Sequence, residues 1–250
     1  MSAGLLFDST RCIGCGACSA ACKEQNGLPL EIESKTTAYT WTTVERRADV
    51  NVRRLCMHCL DPTCVSVCPV AALERTERGA VVYDPKRCIG CRYCIMACPF
   101  SVPKYQWDSP VPIVGKCTLC APRVAAGLST ACASVCPTGA TLFGEREDLL
   151  REARARLEAN PANYTPHIYG EEEAGGTSVL MLSRVSFETL GMKVPPTQPL
   201  PALTWRVLSG IPDFAALAAF ALYGVHWITS RRDAVEAAEG GGVKAPEEES

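Results

Sequence analysis

The sequence predicts an α+β fold of two nested, cysteine-rich units with large loops, followed by one C-terminal transmembrane helix. Three observations carry that expectation. All 16 cysteines of the 250-residue chain lie between Cys12 and Cys136, in four groups of four with none left over. The run Arg-Cys-Ile-Gly-Cys occurs at 11–15 and again at 87–91, an imperfect internal repeat. Far from the cysteines, Val207–Thr229 is a 23-residue apolar stretch with a single acid, Asp213, and a single histidine, His226. Composition excludes two classes. With 47% hydrophobic and 21% charged residues the chain is not disordered throughout. With 25 basic against 27 acidic residues, it has no charge excess to drive nucleic-acid binding.

The first group is Cys12, Cys15, Cys18 and Cys22, spaced C-x2-C-x2-C-x3-C. The second is Cys56, Cys59, Cys64 and Cys68, spaced C-x2-C-x4-C-x3-C. The third, Cys88, Cys91, Cys94 and Cys98, repeats the spacing of the first. The fourth is Cys117, Cys120, Cys132 and Cys136, spaced C-x2-C-x11-C-x3-C. A disulfide scaffold belongs to short secreted chains, and nothing at this N-terminus marks Sec export. Structural zinc also uses C-x2-C pairs, but as two knuckles separated by a longer loop. Three thiolates within seven residues and a fourth three residues on suit a cube. The bacterial [4Fe–4S] run is C-x2-C-x2-C-x3-C-P, whose fourth cysteine ligates the other cluster of a two-cluster unit. The third group matches it throughout. Groups two and four end in Cys68-Pro69 and Cys136-Pro137, and the first group departs only in Lys23 at the proline position. Gly14, Gly16 and Gly90 give backbone N–H groups access to the sulfurs. The fourth cysteine is expected to begin a short helix, and the proline to turn the chain away.

Spacing alone leaves the pairing of groups open, adjacent or nested. Val70–Arg87 between groups two and three has ferredoxin-like character: a helix start at Ala71, Ala72 and Leu73, a turn at Gly79 and a strand at Ala80–Tyr83. That favours a continuous ferredoxin-like unit over 56–99, inserted into an outer one formed by 1–55 and 100–195.

With all four groups in order, residues 5–195 resemble the four-cluster iron–sulfur subunits of membrane-bound oxidoreductases. These include the beta subunits of respiratory formate dehydrogenase, of dimethyl sulfoxide and polysulfide reductases, and the electron-transfer partners of nickel–iron hydrogenases. The stretch from His167-Ile168-Tyr169-Gly170 to Gly175-Gly176-Thr177-Ser178-Val179-Leu180 is similar to the formate dehydrogenase and hydrogenase branches. The resemblance implies four [4Fe–4S] clusters with nested ligands. Cys12, Cys15 and Cys18 would share one with Cys136, and Cys22 would join Cys117, Cys120 and Cys132. Cys56, Cys59 and Cys64 would pair with Cys98, and Cys68 with Cys88, Cys91 and Cys94. It also implies a non-catalytic chain between a catalytic molybdopterin or [NiFe] subunit and an integral-membrane quinone- or haem-bearing subunit.

His58 is expected to lie beside the ligands or at the surface, because a Rieske-type role needs two histidines in place of two cysteines. Arg53, Arg54, Arg87, Arg92, Lys104 and Lys116 flank the cysteine loops. They read as solvated charge or salt bridges, with tuning of cluster potential as the sharper alternative. Glu145–Ala159 reads as an amphipathic helix stopped at Asn160-Pro161. Val179–Leu182 reads as a strand, and 196–206 as a proline-rich linker. No nucleophile–base pair, G-x-G-x-x-G or P-loop is present, so no catalytic residue is expected.

A helix crossing about 30 Å of hydrocarbon needs about 20 apolar residues, which 207–229 supplies. Pro212 and Asp213 fit a helix that begins near Gly210, where a first-turn proline is tolerated and an acid suits the dipole. Trp205, Tyr223 and Trp227 suit the headgroup levels, and His226 reads as interfacial. Arg231 and Arg232 after the span, against Arg206 before it, put the C-terminus in the cytoplasm and the cysteine-rich part in the periplasm. Met1–Arg11 has neither an apolar export region nor a twin arginine. Export together with a catalytic partner that carries the signal is what the resemblance implies. The acidic, glycine-rich residues 230–250 are expected to be disordered. Two rivals remain, a self-contained iron–sulfur enzyme and a structural zinc-binding membrane adaptor.

Overall fold

The computed structural model describes residues 2–31 and 33–240. Two units result, Met1–Pro201 and Ala202–Ser250. In the first, β1 (Ala3–Asp8) is followed by α1 (Ala17–Gln25) and the hairpin β2 (Thr43–Arg47) and β3 (Val50–Arg54). Next come α2 (Thr63–Ser66), β4 (Leu73–Arg75), β5 (Val81–Tyr83) and α3 (Tyr93–Ala97). The chain continues through β6 (Lys104–Tyr105), β7 (Val114–Gly115), α4 (Ala121–Ala125) and α5 (Ala131–Ser134). It ends with β8 (Thr141–Glu145), α6 (Arg146–Ala159) and β9 (Val179–Leu182).

β1 lies in the middle of a three-stranded sheet, antiparallel to β8 and parallel to β9. Its run Ala-Gly-Leu-Leu-Phe is buried on both faces, as an uninterrupted apolar strand must be. Alternation sends Leu5 and Phe7 into the core that holds Cys56, Cys117 and Cys132. Leu6 points the other way, under Leu149, Leu150 and Ala153 of α6. Gly4 has no room for a side chain: a Cβ there would sit 2.3 Å from the Ser178 carbonyl. The β2–β3 hairpin turns on Ala48 and Asp49, both left-handed (φ 44° and 60°), the arrangement a two-residue loop demands.

Three expectations change. The segment Ala71–Leu73 is not a helix start: Ala71 is left-handed (φ 50°), and Leu73 opens β4 with its side chain buried against β5. The linker 196–206 is helical from Leu200, because α7 (Leu200–Leu208) accepts Pro201 in its first turn. The helix start expected near Gly210 is met: a turn at Ser209-Gly210 separates α7 from α8 (Ile211–Gly240), which has Pro212 and Asp213 in its first turn. α8 also continues past Thr229. Residues 230–240 are helical, rich in the helix formers Ala, Glu and Arg and joined by an Arg232–Glu236 pair at 3.0 Å, so the expected disorder does not hold for them. The rest of the expected tail, 241–250, lies outside the described residues.

Candidate iron–sulfur centres

The four cysteine groups share a backbone conformation despite different sequences. The second residue after the first cysteine is left-handed in all of them: Gly14 (φ 72°), His58 (φ 50°), Gly90 (φ 71°) and Leu119 (φ 53°). In three of the groups that residue's N–H turns back toward the sulfur. The N–H of Gly90 donates to Cys88 Sγ and that of Leu119 to Cys117 Sγ, each at 3.4 Å, and Gly14 serves Cys12 likewise.

A second repeated feature follows the fourth cysteine in the three groups that have the proline. The third residue onward is left-handed at Ala71, Ser101 and Gly139. Just beyond it, Ala72 N–H donates to Cys68 Sγ (3.2 Å), Val102 to Cys98 Sγ (3.5 Å) and Thr141 to Cys136 Sγ (3.4 Å). In the first group Lys23 replaces the proline and the helix does not stop. α1 runs on to Gln25, and the Asn26 side-chain amide reaches Cys22 Sγ at 3.7 Å instead. The helices are also placed differently from expectation. Cys18, Cys64, Cys94 and Cys132, the third of each group, lie inside α1, α2, α3 and α5. Outside group one, the fourth cysteine follows the helix, because the next residue, proline, cannot extend it.

The side chains gather across groups. Cys12, Cys15, Cys18 and Cys136 line one cavity, and Cys56, Cys59, Cys64 and Cys98 another. Cys22 faces Cys132 and Cys120, Cys117 faces Cys22 and Cys132, and Cys94 faces Cys88, Cys91 and Cys68. All sixteen are free thiols. Among the described residues no three His, Cys, Asp or Glu groups converge as a single ion needs. A zinc site draws its sulfurs to about 2.3 Å from one ion. A cavity walled by four thiols, with N–H groups aimed at the sulfurs, suits a cube with a cysteine at each corner.

Burial and then mutual repulsion push several of these thiols up, to about 12 at Cys22 and Cys64 and to about 11 at Cys94. Such a collection of sulfurs needs positive metal as its counter-charge.

Protein cations lie among the sulfurs as well, and here the reading of the flanking residues as solvated charge fails. Arg53 is 1% exposed and Lys116 3%. Lys116 Nζ caps the Cys117 carbonyl at 2.9 Å, and its charge opposes the rise at Cys64. Lys23 is buried too, its ammonium donating to the Tyr39 carbonyl at 2.9 Å. The surface reading holds for Arg87, paired with Asp84 at 3.6 Å, and for Arg54, paired with Glu45 at 3.5 Å. Arg92 stacks 5.2 Å over the exposed Trp107. His58 is fully buried, its Nδ1 accepting from Val81 N–H at 2.9 Å, so its ring braces β5. The sequence offered one signal for the missed cations, that Lys116 adjoins Cys117; Arg53 is out of phase with the core residues Val50 and Val52 of its strand, so alternation does not announce its burial.

Residues 49–146 match the 4Fe-4S dicluster domain, and residues 11–72 match a second family of the same description. The hydrogenase-2 operon protein HybA of Escherichia coli O157:H7 is 38% identical over 238 residues, covering 76% of this chain and 73% of the relative. The thiosulfate reductase electron transfer subunit PhsB of Salmonella typhi is 42% identical over 150 residues, covering 58% and 76%. The nitrate-inducible formate dehydrogenase iron-sulfur subunit of Escherichia coli K12 is 36% identical over 195 residues, covering 70% and 66%. Two dicluster domains over cavities walled by cysteine define an iron–sulfur electron carrier. Their sixteen cysteines fit four [4Fe–4S] clusters. The chain belongs to the family of iron–sulfur electron-transfer subunits of oxidoreductases.

Proposed function

We propose that the chain binds four [4Fe–4S] clusters in nested quartets and relays single electrons between a catalytic subunit and a membrane partner. The ligand sets are Cys12, Cys15, Cys18 with Cys136; Cys22 with Cys117, Cys120, Cys132; Cys56, Cys59, Cys64 with Cys98; and Cys68 with Cys88, Cys91, Cys94. One observation carries the reading: each of two cavities is lined by three cysteines of one group and the last cysteine of another. The clusters supply one-electron chemistry, and the chain supplies their spacing, their hydrogen bonds and their local charge. Cys22 interacts with Cys18, Cys117 with Cys56, and Cys64 with Cys94, which supports a linear series from the first quartet to the last. The catalytic partner would be a molybdopterin enzyme, such as formate dehydrogenase, or a [NiFe] hydrogenase. The names of the relatives support either.

The other end of the path is a quinone- or haem-bearing integral-membrane subunit. Within Ile211–Glu239 an 18-residue stretch of mean hydropathy 1.4 is long and apolar enough to cross a bilayer and supports a single-pass anchor. Arg231 and Arg232 support a cytoplasmic C-terminus and a periplasmic iron–sulfur part. Iron, acid-labile sulfide and zinc per chain, measured on anaerobically purified protein, test the reading. About sixteen irons and as many sulfides are expected, four of each per cluster. Zinc without sulfide would replace the carrier by a zinc-stabilised adaptor.

A further inference from the structure

We infer that Arg53 is a fixed internal counter-ion for the two clusters of the outer unit and raises their reduction potentials. The inference rests on the cluster reading above. Arg53 is the largest fully buried side chain of the protein. Its Nε donates to Thr42 Oγ1 at 3.0 Å and its Nη1 to Thr141 Oγ1 at 3.1 Å, both neutral partners. Among the described residues no carboxylate pairs with it, whereas the buried Arg156 has Asp8 at 2.9 Å. A guanidinium keeps its proton in any protein setting. Burying one without an anion is costly.

The groups that face it are sulfurs, Cys132, Cys18 and Cys117, and its charge is also felt at Cys22 and Cys120. These five cysteines come from both quartets of the outer unit. Each electron that enters a cluster adds negative charge near this cation, so the cation favours the reduced form. In the inner unit, Cys59, Cys64 and Cys98 of one quartet and Cys94 of the other interact with neighbouring cysteines, and at Cys64 with Lys116, rather than with Arg53. The inner unit therefore serves as a control within the same chain.

The test is a potentiometric titration followed by electron paramagnetic resonance, on the full chain with its iron and sulfide counted. In Arg53→Met two of the four couples should move to lower potential while the other two stay in place. A tenfold fall in the ratio of reduced to oxidised cluster at fixed ambient potential, or 59 mV for one electron, is the expected scale. Arg53→Lys should restore most of it. Four unmoved couples with full iron, an equal shift in all four, or a lysine variant that behaves like methionine would overturn the proposal. Should Arg53→Met lose iron, Thr42→Val keeps the charge but releases one of its anchors. The same two couples should then shift, and four unmoved couples would again overturn it. A wild-type chain short of iron would instead count against the cluster reading itself.

Discussion

Four loops of different sequence adopt the same left-handed residue two positions after their first cysteine, and only two of them use glycine there. At Gly14 and Gly90 the conformation is free of steric cost; at His58 and Leu119 it costs roughly 1–2 kcal/mol. The non-glycine loops are held by burial, since His58 and Leu119 are almost fully enclosed. Gly14 and Gly16 share a φ of 72°, but their surroundings differ. A Cβ on Gly14 would meet Asn51 Oδ1 at 3.0 Å, and the Asn51 amide holds the Cys12 carbonyl at 2.6 Å. Nothing lies within 4 Å of a Cβ on Gly16. Gly14→Ala and Gly16→Ala should each cost about 1–2 kcal/mol through the backbone, and Gly14→Ala should cost more. Thermal bleaching of the visible cluster absorbance checks the order: wild type last, Gly14→Ala first. Equal bleaching of the two variants would mean that Asn51 does not brace the loop. The glycines of these loops were legible in the sequence because only glycine takes that φ freely. The burial of Arg53, Lys23 and Lys116 was not, because a charged residue beside a cysteine reads as surface until its neighbours are known.

At the scale of elements, one substitution decides the length of a helix. Where the other groups have proline, Lys23 lets α1 run nine residues instead of four or five, and its ammonium reaches the Tyr39 carbonyl. Lys23→Pro would bring back the proline of the other groups and yet should destabilise by about 3 kcal/mol, because it removes a ladder bond inside α1. Chemical denaturation followed at the cluster absorbance tests this. A variant as stable as wild type would show that α1 beyond Cys22 contributes nothing.

The end of β1 offers a second case. Asp8 is fully buried and accepts from Arg156 Nη1 and Tyr164 Oη at 2.9 Å each, and from Thr10 Oγ1 at 2.6 Å. Arg156→Met removes the nearer of two cations, leaving Arg11 at 3.7 Å from the carboxylate, so the expected cost lies below the roughly 3–5 kcal/mol of a fully uncompensated buried charge. Adding Asp8→Asn to it should recover part of that loss, and a double variant worse than the single one would refute the ion-pair account. α6 and β9 were legible from periodicity and β-branched content. β1 was not, because a six-residue apolar run carries no period, and its partners lie more than 130 residues away at β8 and β9. The segment 71–73 misled because its alanines favour helix, while Ala71 sits in a left-handed turn fixed by the loop that follows Cys68.

For the whole molecule, the division after Pro201 separates two kinds of stability. Residues 1–201 hold all sixteen cysteines and three buried clusters of side chains, one of which includes Cys56, Cys117 and Cys132. Iron bound by those cysteines is thereby part of the core, and its removal should unfold this unit. α8 has no such core. Phe214, Leu217, Phe220, Leu222, Tyr223 and Ile228 are all more than 60% exposed, and at 100° per residue they surround the helix. A helix apolar on every side asks for an apolar surrounding, and α8 is long and apolar enough to cross a membrane. A chain ending at Pro201 should therefore keep its full iron and sulfide and its cluster spectrum, and should fractionate as a soluble protein without detergent. The complete chain should sediment with membranes and need detergent for release. Loss of iron on truncation would tie the second unit to the clusters, and a truncated chain that still sediments with membranes would assign the attachment to the iron–sulfur part.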